Sequence, residues 1–183
     1  MDSLPPEGRR VLAYDLAPNF VGYAFGDLSK PWPSDFGFYA FGTGSIGLKM
    51  RRFANSLYGD IERWKPSKVV MESPLPPQSQ TDTWTAIKIY GQYCYVHEAC
   101  DRHGIEIPSA AGADTIRSDL IGRCRWPGGS SETKKKVVEF VRSFGVEVRN
   151  HNAADAIMVW AWYRLQMLGL PPKPLFAHAI TPV

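Results

Sequence analysis

Three acidic residues stand where the sequence predicts the ends of buried segments, which is an unusual place for a carboxylate. Asp15 ends the stretch RVLAYD, Glu72 ends KVVME, and Asp155 interrupts the apolar run HNAADAIMVW. A buried carboxylate costs several kcal/mol unless something compensates its charge. If the three carboxylates converge, a divalent cation is the usual compensation, and ligands that are all oxygen favour Mg²⁺ or Mn²⁺ over zinc.

The chemistry that such a cluster supports is phosphodiester cleavage. Two cations held about 3.5–4 Å apart stabilise both the attacking and the leaving oxygen of the bond being cut. This is why nucleases use clusters of acids. We therefore interpret Asp15, Glu72 and Asp155 as candidate catalytic metal ligands.

Each acid also has a structural alternative. Asn152 and Asp155 have the spacing of a capping box, with Asn152 as the N-cap, and Asp15 could form the turn in DLAPN. Glu72 is harder to explain in this way, because it lies in an apolar strand. The argument for a metal site rests on the three acids together.

The elements that must position these acids alternate between strands and helices. A hairpin around Pro18-Asn19 and a third strand in DFGFYAFGTG predict an antiparallel meander. A helix, the buried parallel strand KVVME, a helix over about 84–103, the strand IEIPS and three more helices follow. In such mixed α/β sheets ligands bind beyond the carboxyl ends of strands, so Asp15 and Glu72 face one site if their strands are neighbours. Asp155, predicted in the first turn of the last helix, could join them.

Composition limits the class of protein. The 183 residues, 44% of them hydrophobic and 21% charged, predict one globular domain over 1–183 with a short N-terminal tail and a Pro-rich C-terminal tail. The longest apolar run has eight residues and no N-terminal signal segment is evident, so we expect a soluble cytoplasmic protein without a membrane partner. A net charge of +3 permits a nucleic-acid partner without requiring one.

The cysteines predict neither a disulfide framework nor a zinc site. There are three of them and no CxxC pair. Cys94, His97, Cys100 and His103 have a suggestive spacing, but on one helix the outer pair is separated by roughly 13 Å, too far to share a tetrahedral ion. We interpret them as ordinary helix residues.

Positive charge is densest over residues 117–136, where Trp126 and a Gly-Gly-Ser-Ser loop interrupt it. A Lys-Lys-Lys run that opens a helix is often only a solvated face. Beside a phosphodiester-cutting site, however, we expect Arg117 and Lys134 to contact phosphates. The candidate DNA-binding residues of this segment are Arg117, Arg123, Arg125, Lys134 and Lys135.

Several motifs in order resemble the RuvC-like Holliday junction resolvases of the ribonuclease H superfamily. Asp15 is followed seven positions on by Gly22 and then Tyr23, and the second motif ends in Glu72. AIKIYGQ is similar to the family's A-x-K-x-x-G-Q segment, and TIRSDLIGR to its V-K-x-x-x-x-G motif, with Arg117 in the lysine position. Lys134 matches a basic residue that opens the next helix, and NAADA resembles the D-x-x-D-A motif.

This resemblance implies an α/β fold of three layers, ribonuclease H-like, in which helices flank a mixed five-stranded sheet. It further implies a homodimer that nicks branched DNA, typically four-way junctions, with Mg²⁺ as cofactor and Mn²⁺ able to substitute. Recombination or repair of DNA, in a phage or mobile element, is the setting we expect. Asp15, Glu72 and Asp155 would be the metal ligands.

The sequence departs from the family pattern at two places. Asn152 stands at the fourth acidic position, so either its amide oxygen is a weaker ligand, His151 substitutes for it, or the site is impaired. The segment SPLPPQSQTDTWT is extra sequence after Glu72, where the family has a junction-probing side chain. Leu75 or Trp84 could serve as that wedge, since apolar side chains can insert between base steps.

Two other functions are compatible with the sequence. One is a catalytically impaired module that binds branched DNA and has lost the metal through Asn152. The other is an ATPase of the actin-like superfamily, which also begins with an Asp-bearing hairpin but needs a second domain that 183 residues leave little room for. Metal-dependent cleavage separates the first from a nuclease, and nucleotide binding tests the second.

Overall fold

A computed structural model describes residues 8–76, 79 and 82–169, so both predicted tails lie outside the described residues. The order of elements agrees with the prediction throughout. The strands are β1 (Arg10–Leu16), β2 (Phe20–Asp27), β3 (Asp35–Ala40), β4 (Lys68–Glu72) and β5 (Glu106–Ala111). The helices are α1 (Ile46–Trp64), α2 (Thr83–Arg102), α3 (Ala113–Ile121), α4 (Gly129–Arg142) and α5 (His151–Leu168).

The five strands form one mixed sheet in the order β3-β2-β1-β4-β5. β1 pairs antiparallel with β2 and parallel with β4, with Tyr14 opposite Met71. The carboxyl ends of β1 and β4 are therefore neighbours at one edge of the sheet, as the sequence predicted for Asp15 and Glu72. The predicted fold class is confirmed.

Each face of the sheet carries its own apolar core, which gives three layers. Along β1, Val11 and Ala13 pack with α3, α4 and α5, while Leu12 and Tyr14 pack with α1 and α2. Because side chains alternate along a strand, Asp15 follows Ala13 to the α5 face.

Helix α5 lies deeper than the other helices. Nearly all of its first eleven residues are buried, which fits a sequence that is apolar on all sides. It crosses β2 at Gly22, where an added Cβ would lie 1.9 Å from the backbone oxygen of Asn152. Since Gly22 pairs with Asp15 across the two strands, this contact positions the start of α5 beside Asp15.

The capping box that the sequence suggested for α5 is wrong. The N-cap is Asn150, whose side chain accepts a hydrogen bond from the backbone N–H of Asn152 at 2.7 Å. Asn150 and Asn152 are both suitable N-cap residues, and the helix begins after the earlier of the two. Asp155 is consequently the fifth helical residue, past the first turn, so neither capping nor the helix terminus accounts for its position.

The remaining structural expectations concern membrane spans and cysteines. Within the described ranges, no helix has the length and apolar character needed to cross a membrane. Cys94, Cys100 and Cys124 are unpaired, and Cys94, His97 and Cys100 lie along α2. His103 caps the same helix.

Candidate active site

The three predicted acids come together at the carboxyl edge of the sheet. Asp15 and Asp155 are only 8% and 9% exposed, and Glu72 lies at the end of β4. Burial raises the pKa of Asp15 well above its ordinary value, and the nearby charges of Asp155 and Glu72 raise it further. The three acids therefore lie close enough for their charges to act on one another.

Burial and neighbouring charges also shift the pKa values of Glu72 and Asp155. Burial raises the pKa of Glu72 to about 7, with a further increase from the charge of Asp155. Burial also raises the pKa of Asp155 to about 6, although Arg117 opposes the shift. At both carboxyl groups the effect of burial thus outweighs the opposing charge of Arg117.

Two basic side chains lie against this cluster. Arg117 Nη2 is 3.8 Å from Asp155 Oδ1, and Arg117 Nη1 is 3.8 Å from Asp114 Oδ1. The charge of Lys134 lowers the pKa of both Asp15 and Asp155. Arg117 and Lys134, the two residues for which the sequence most favoured phosphate contact, are those that the fold brings to the acids.

The residues at the fourth ligand position differ in their contacts. Asn152 is 6% exposed and lies against Gly22. His151 Nε2 is 3.2 Å from Lys134 Nζ, and burial together with the charge of Lys134 lowers the pKa of His151. The imidazole is therefore engaged with Lys134.

The acids fit a divalent cation by chemistry. They supply only oxygen donors, Asp15 and Asp155 are buried and Glu72 is partly buried, and their charges repel one another, which are the conditions that Mg²⁺ relieves. Among the residues that the structure describes, however, no three His, Cys, Asp or Glu side chains are already arranged as a ligand group. A bound cation therefore requires side-chain adjustment of these acids.

A cavity of about 590 Å³ opens beside Glu72 between α3 and the start of α4. Arg125, at its rim, pairs with Asp114 at 2.9 Å between Nη2 and Oδ2. The cavity brings several residues of the predicted DNA interface to the acids. Its lining includes Glu72, Leu75, Arg117, Arg125, Trp126 and Lys134.

The other predicted DNA-binding residues do not line this cavity. Trp84 is 64% exposed in the first turn of α2 and does not line this cavity. Arg123 stands over the ring of Trp126, 6.0 Å from its centroid. Lys136, by contrast, pairs with Glu139 at 2.8 Å, as expected of a solvated helix face.

A second basic groove, of about 480 Å³, was missed by the sequence analysis. Arg142 and Arg149 line it together with the predicted Lys134, Lys135 and His151. Arg142 and Arg149 flank the turn between α4 and α5, and only the folded turn brings them to the lysines of α4. In the sequence, the sign of this groove was the positive charges on both sides of Gly145.

Comparison with known proteins gives a structural likeness without a sequence match. No family model matches the sequence, and no curated protein does. Thermus thermophilus RuvC, solved in complex with a Holliday junction substrate, superposes with a TM-score of 0.69 at 17% identity, covering 91% of this chain and 99% of that one. The yeast mitochondrial Holliday junction resolvase Ydc2 superposes with a TM-score of 0.54 at 14% identity, covering 90% and 82%. The resemblance to RuvC-like proteins is thus confirmed for the fold.

Proposed function

We propose that this protein is a metal-dependent endonuclease that cuts branched DNA, with four-way junctions as its preferred substrate. The observation that carries the proposal is the convergence of Asp15, Glu72 and Asp155 beside Arg117 and Lys134 in a RuvC-like fold. Neighbours of this fold include Holliday junction resolvases, one of them bound to a junction. Charge and fold therefore support the same activity.

In this proposal Asp15, Glu72 and Asp155 hold Mg²⁺ or Mn²⁺. A cation held there would supply an activated water and would stabilise the charge that develops on the phosphodiester oxygens. The amide oxygen of Asn152 is the better fourth donor, since His151 is engaged with Lys134. Arg117 and Lys134 bind the phosphates around the cut and hold the strand over the acids.

The partners follow from the same proposal. A homodimer would present two active sites to a four-way junction and allow paired nicks. Arg125 and Leu75 in the cavity, and Lys135 in the second groove, contribute to the DNA surface. Arg123 and Trp84 are outer contacts. We keep a cytoplasmic location and a role in recombination or repair as predictions.

A second candidate function is a non-catalytic module that binds branched DNA. Two observations favour it: an amide stands at the fourth ligand position, and no ligand group is preformed in the described part of the chain. Such a module would keep the basic cavity and groove while the acids bind metal weakly. Cleavage, not binding, separates the two functions.

The experiment uses the purified protein with a labelled four-way junction and the matching linear duplex. Reactions contain Mg²⁺, Mn²⁺ or a chelator, and the variants are Asp15→Asn and the surface control Asp101→Asn, whose residue is exposed near the end of α2. Metal-dependent paired nicks in the junction, lost only in Asp15→Asn, support the nuclease. Junction binding without a cut in either metal establishes the binding module and overturns the proposal.

A further inference from the structure

The cavity beside Glu72 contains an aromatic ring that the proposed chemistry does not use. Trp126 is half-buried and lines this space of about 590 Å³, which is within the range of ligand-binding pockets. Leu75, 56% exposed, lines the same cavity. An indole ring and a leucine side chain offer contact to a flat apolar group.

The backbone around Trp126 is fixed to helix α4. The N–H of Trp126 donates to Thr133 Oγ1 at 3.4 Å, and that hydroxyl donates to the carbonyl of Gly129 at 2.9 Å. Thr133 is only 6% exposed, so the anchor lies inside the protein. The connecting turn uses positive φ angles at Gly128 and Gly129, which glycine adopts without strain. The backbone of Trp126 is therefore anchored to α4 at the edge of the cavity before any ligand binds.

The charges around the ring identify the kind of ligand. Arg117, Arg125 and Lys134 line the cavity together with Glu72 and Asp114, so its basic side chains outnumber its acids and it suits an anion, while free phosphate would leave the ring without a contact. Arg123 covers one side of the Trp126 ring at 6.0 Å. A group that is both anionic and flat, such as a nucleotide, satisfies both parts of the cavity.

We propose that the cavity binds one unstacked nucleotide of the cleaved strand, next to the phosphate that is cut, with its base stacked on Trp126. This inference rests on the proposed function, because it assumes that DNA reaches the acids. Removing a base from a paired duplex is costly, and the cost is lowest where a base has already lost a partner. Because every base has a flat face, Trp126 would select branched structure and not sequence.

The test compares Trp126→Leu, which keeps an apolar side chain, with Trp126→Phe, which keeps an aromatic ring. Stacking of a base on an aromatic ring contributes to binding, so its loss in Trp126→Leu should lower kcat/KM for junction cleavage about 10-fold. Trp126→Phe keeps a ring and should stay within about 3-fold of wild type. Both variants should melt within a few degrees of wild type. An equal loss in the two variants, or none in either, overturns the inference.

A second measurement reports the contact directly. Junctions carrying 5-iododeoxyuridine at successive positions are irradiated with the uncleaving Asp15→Asn protein, and the crosslinked peptide is identified by mass spectrometry. We expect crosslinks to the peptide containing Trp126 from one position beside the cut, and from none in the linear duplex. If wild type cuts junctions but no position crosslinks there, this inference fails and the proposed function stands; if wild type does not cut, the proposed function itself fails.

Discussion

Two buried carboxylates on opposite faces of the sheet have very different surroundings. On the α1 face, Asp60 accepts hydrogen bonds from Tyr14 at 2.7 Å and Tyr39 at 2.6 Å. On the α5 face, Asp15 is next to Tyr14 in sequence but meets two other carboxylates, Glu72 and Asp155. Adjacent residues of one strand thus serve two different sites.

The difference shows how a structural acid is distinguished from a candidate functional one. Burial raises the pKa of Asp60, but the hydrogen bonds from Tyr39 and Tyr14 lower it again. Burial raises the pKa of Asp15 as well, and there the nearest acids add to the increase. A buried carboxylate that is kept among like charges is destabilising unless a cation or substrate compensates it.

The largest effect should come from exchanging each acid for its amide. We expect Asp15→Asn to lower metal-dependent junction cleavage by about 10³-fold or more, because a cation ligand is lost. Asp60→Asn should lower the free energy of unfolding by about 1–2 kcal/mol, since it weakens two hydrogen bonds, yet cleave within about 3-fold of wild type. Single-turnover cleavage and urea unfolding measure both. Equal losses of activity would abolish the distinction between the two faces.

Cation binding should stabilise the folded protein through Asp15 and should not depend on Asp60. At Mg²⁺ concentrations of about 100 times the dissociation constant, the folded wild type should gain about 2.7 kcal/mol relative to metal-free protein. Asp60→Asn should gain as much, and Asp15→Asn should gain little. Thermal unfolding with Mg²⁺ or with chelator tests this. A similar gain in Asp15→Asn would remove Asp15 from the cation site.

The stability of the metal-free protein should depend on pH. Folding raises the pKa of Glu72 to about 7 and of Asp155 to about 6, so the folded protein binds more protons than the unfolded chain between about pH 4 and 7. The free energy of unfolding should therefore fall as pH rises through this window. Asp15 and Asp60 add shifts of the same sign, so the share of Glu72 is the part of the slope that Glu72→Gln removes. Urea titrations in chelator that give parallel slopes for the two proteins would contradict this account.

The smallest expected effect concerns salt. Arg149, in the groove between α4 and α5, should contact a phosphate, so Arg149→Ala should reduce the slope of log binding constant against log salt by about 1. Arg63 lies on the α1 side and pairs with Asp35 at 3.5 Å, so Arg63→Ala should leave the slope unchanged. Fluorescence anisotropy with the uncleaving protein measures both. Identical slopes for the two variants would exclude the groove from the DNA surface.

The positions of Asp15 and Glu72 at the carboxyl ends of apolar strands could be predicted from sequence because they need only local information, whereas the structure shows that the two strands are neighbours. Each acid ends an apolar strand, and the carboxyl ends of neighbouring strands meet at one edge. The start of α5 could not be predicted, because Asn150 and Asn152 are equally good caps and only tertiary packing against Gly22 discriminates between them. Arg149 and Trp126 were missed as site residues for a related reason: their neighbours are set by loop geometry.

The contact between Gly22 and α5 has a consequence for how this sequence can change. The separation between the two buried aspartates is fixed by the absence of a side chain at a third position, which carries no charge and binds nothing. Even a methyl group there would force the helix away from the strand. Codon 22 should therefore accept no missense mutation without loss of activity, although a survey of chemically reactive residues would never select it.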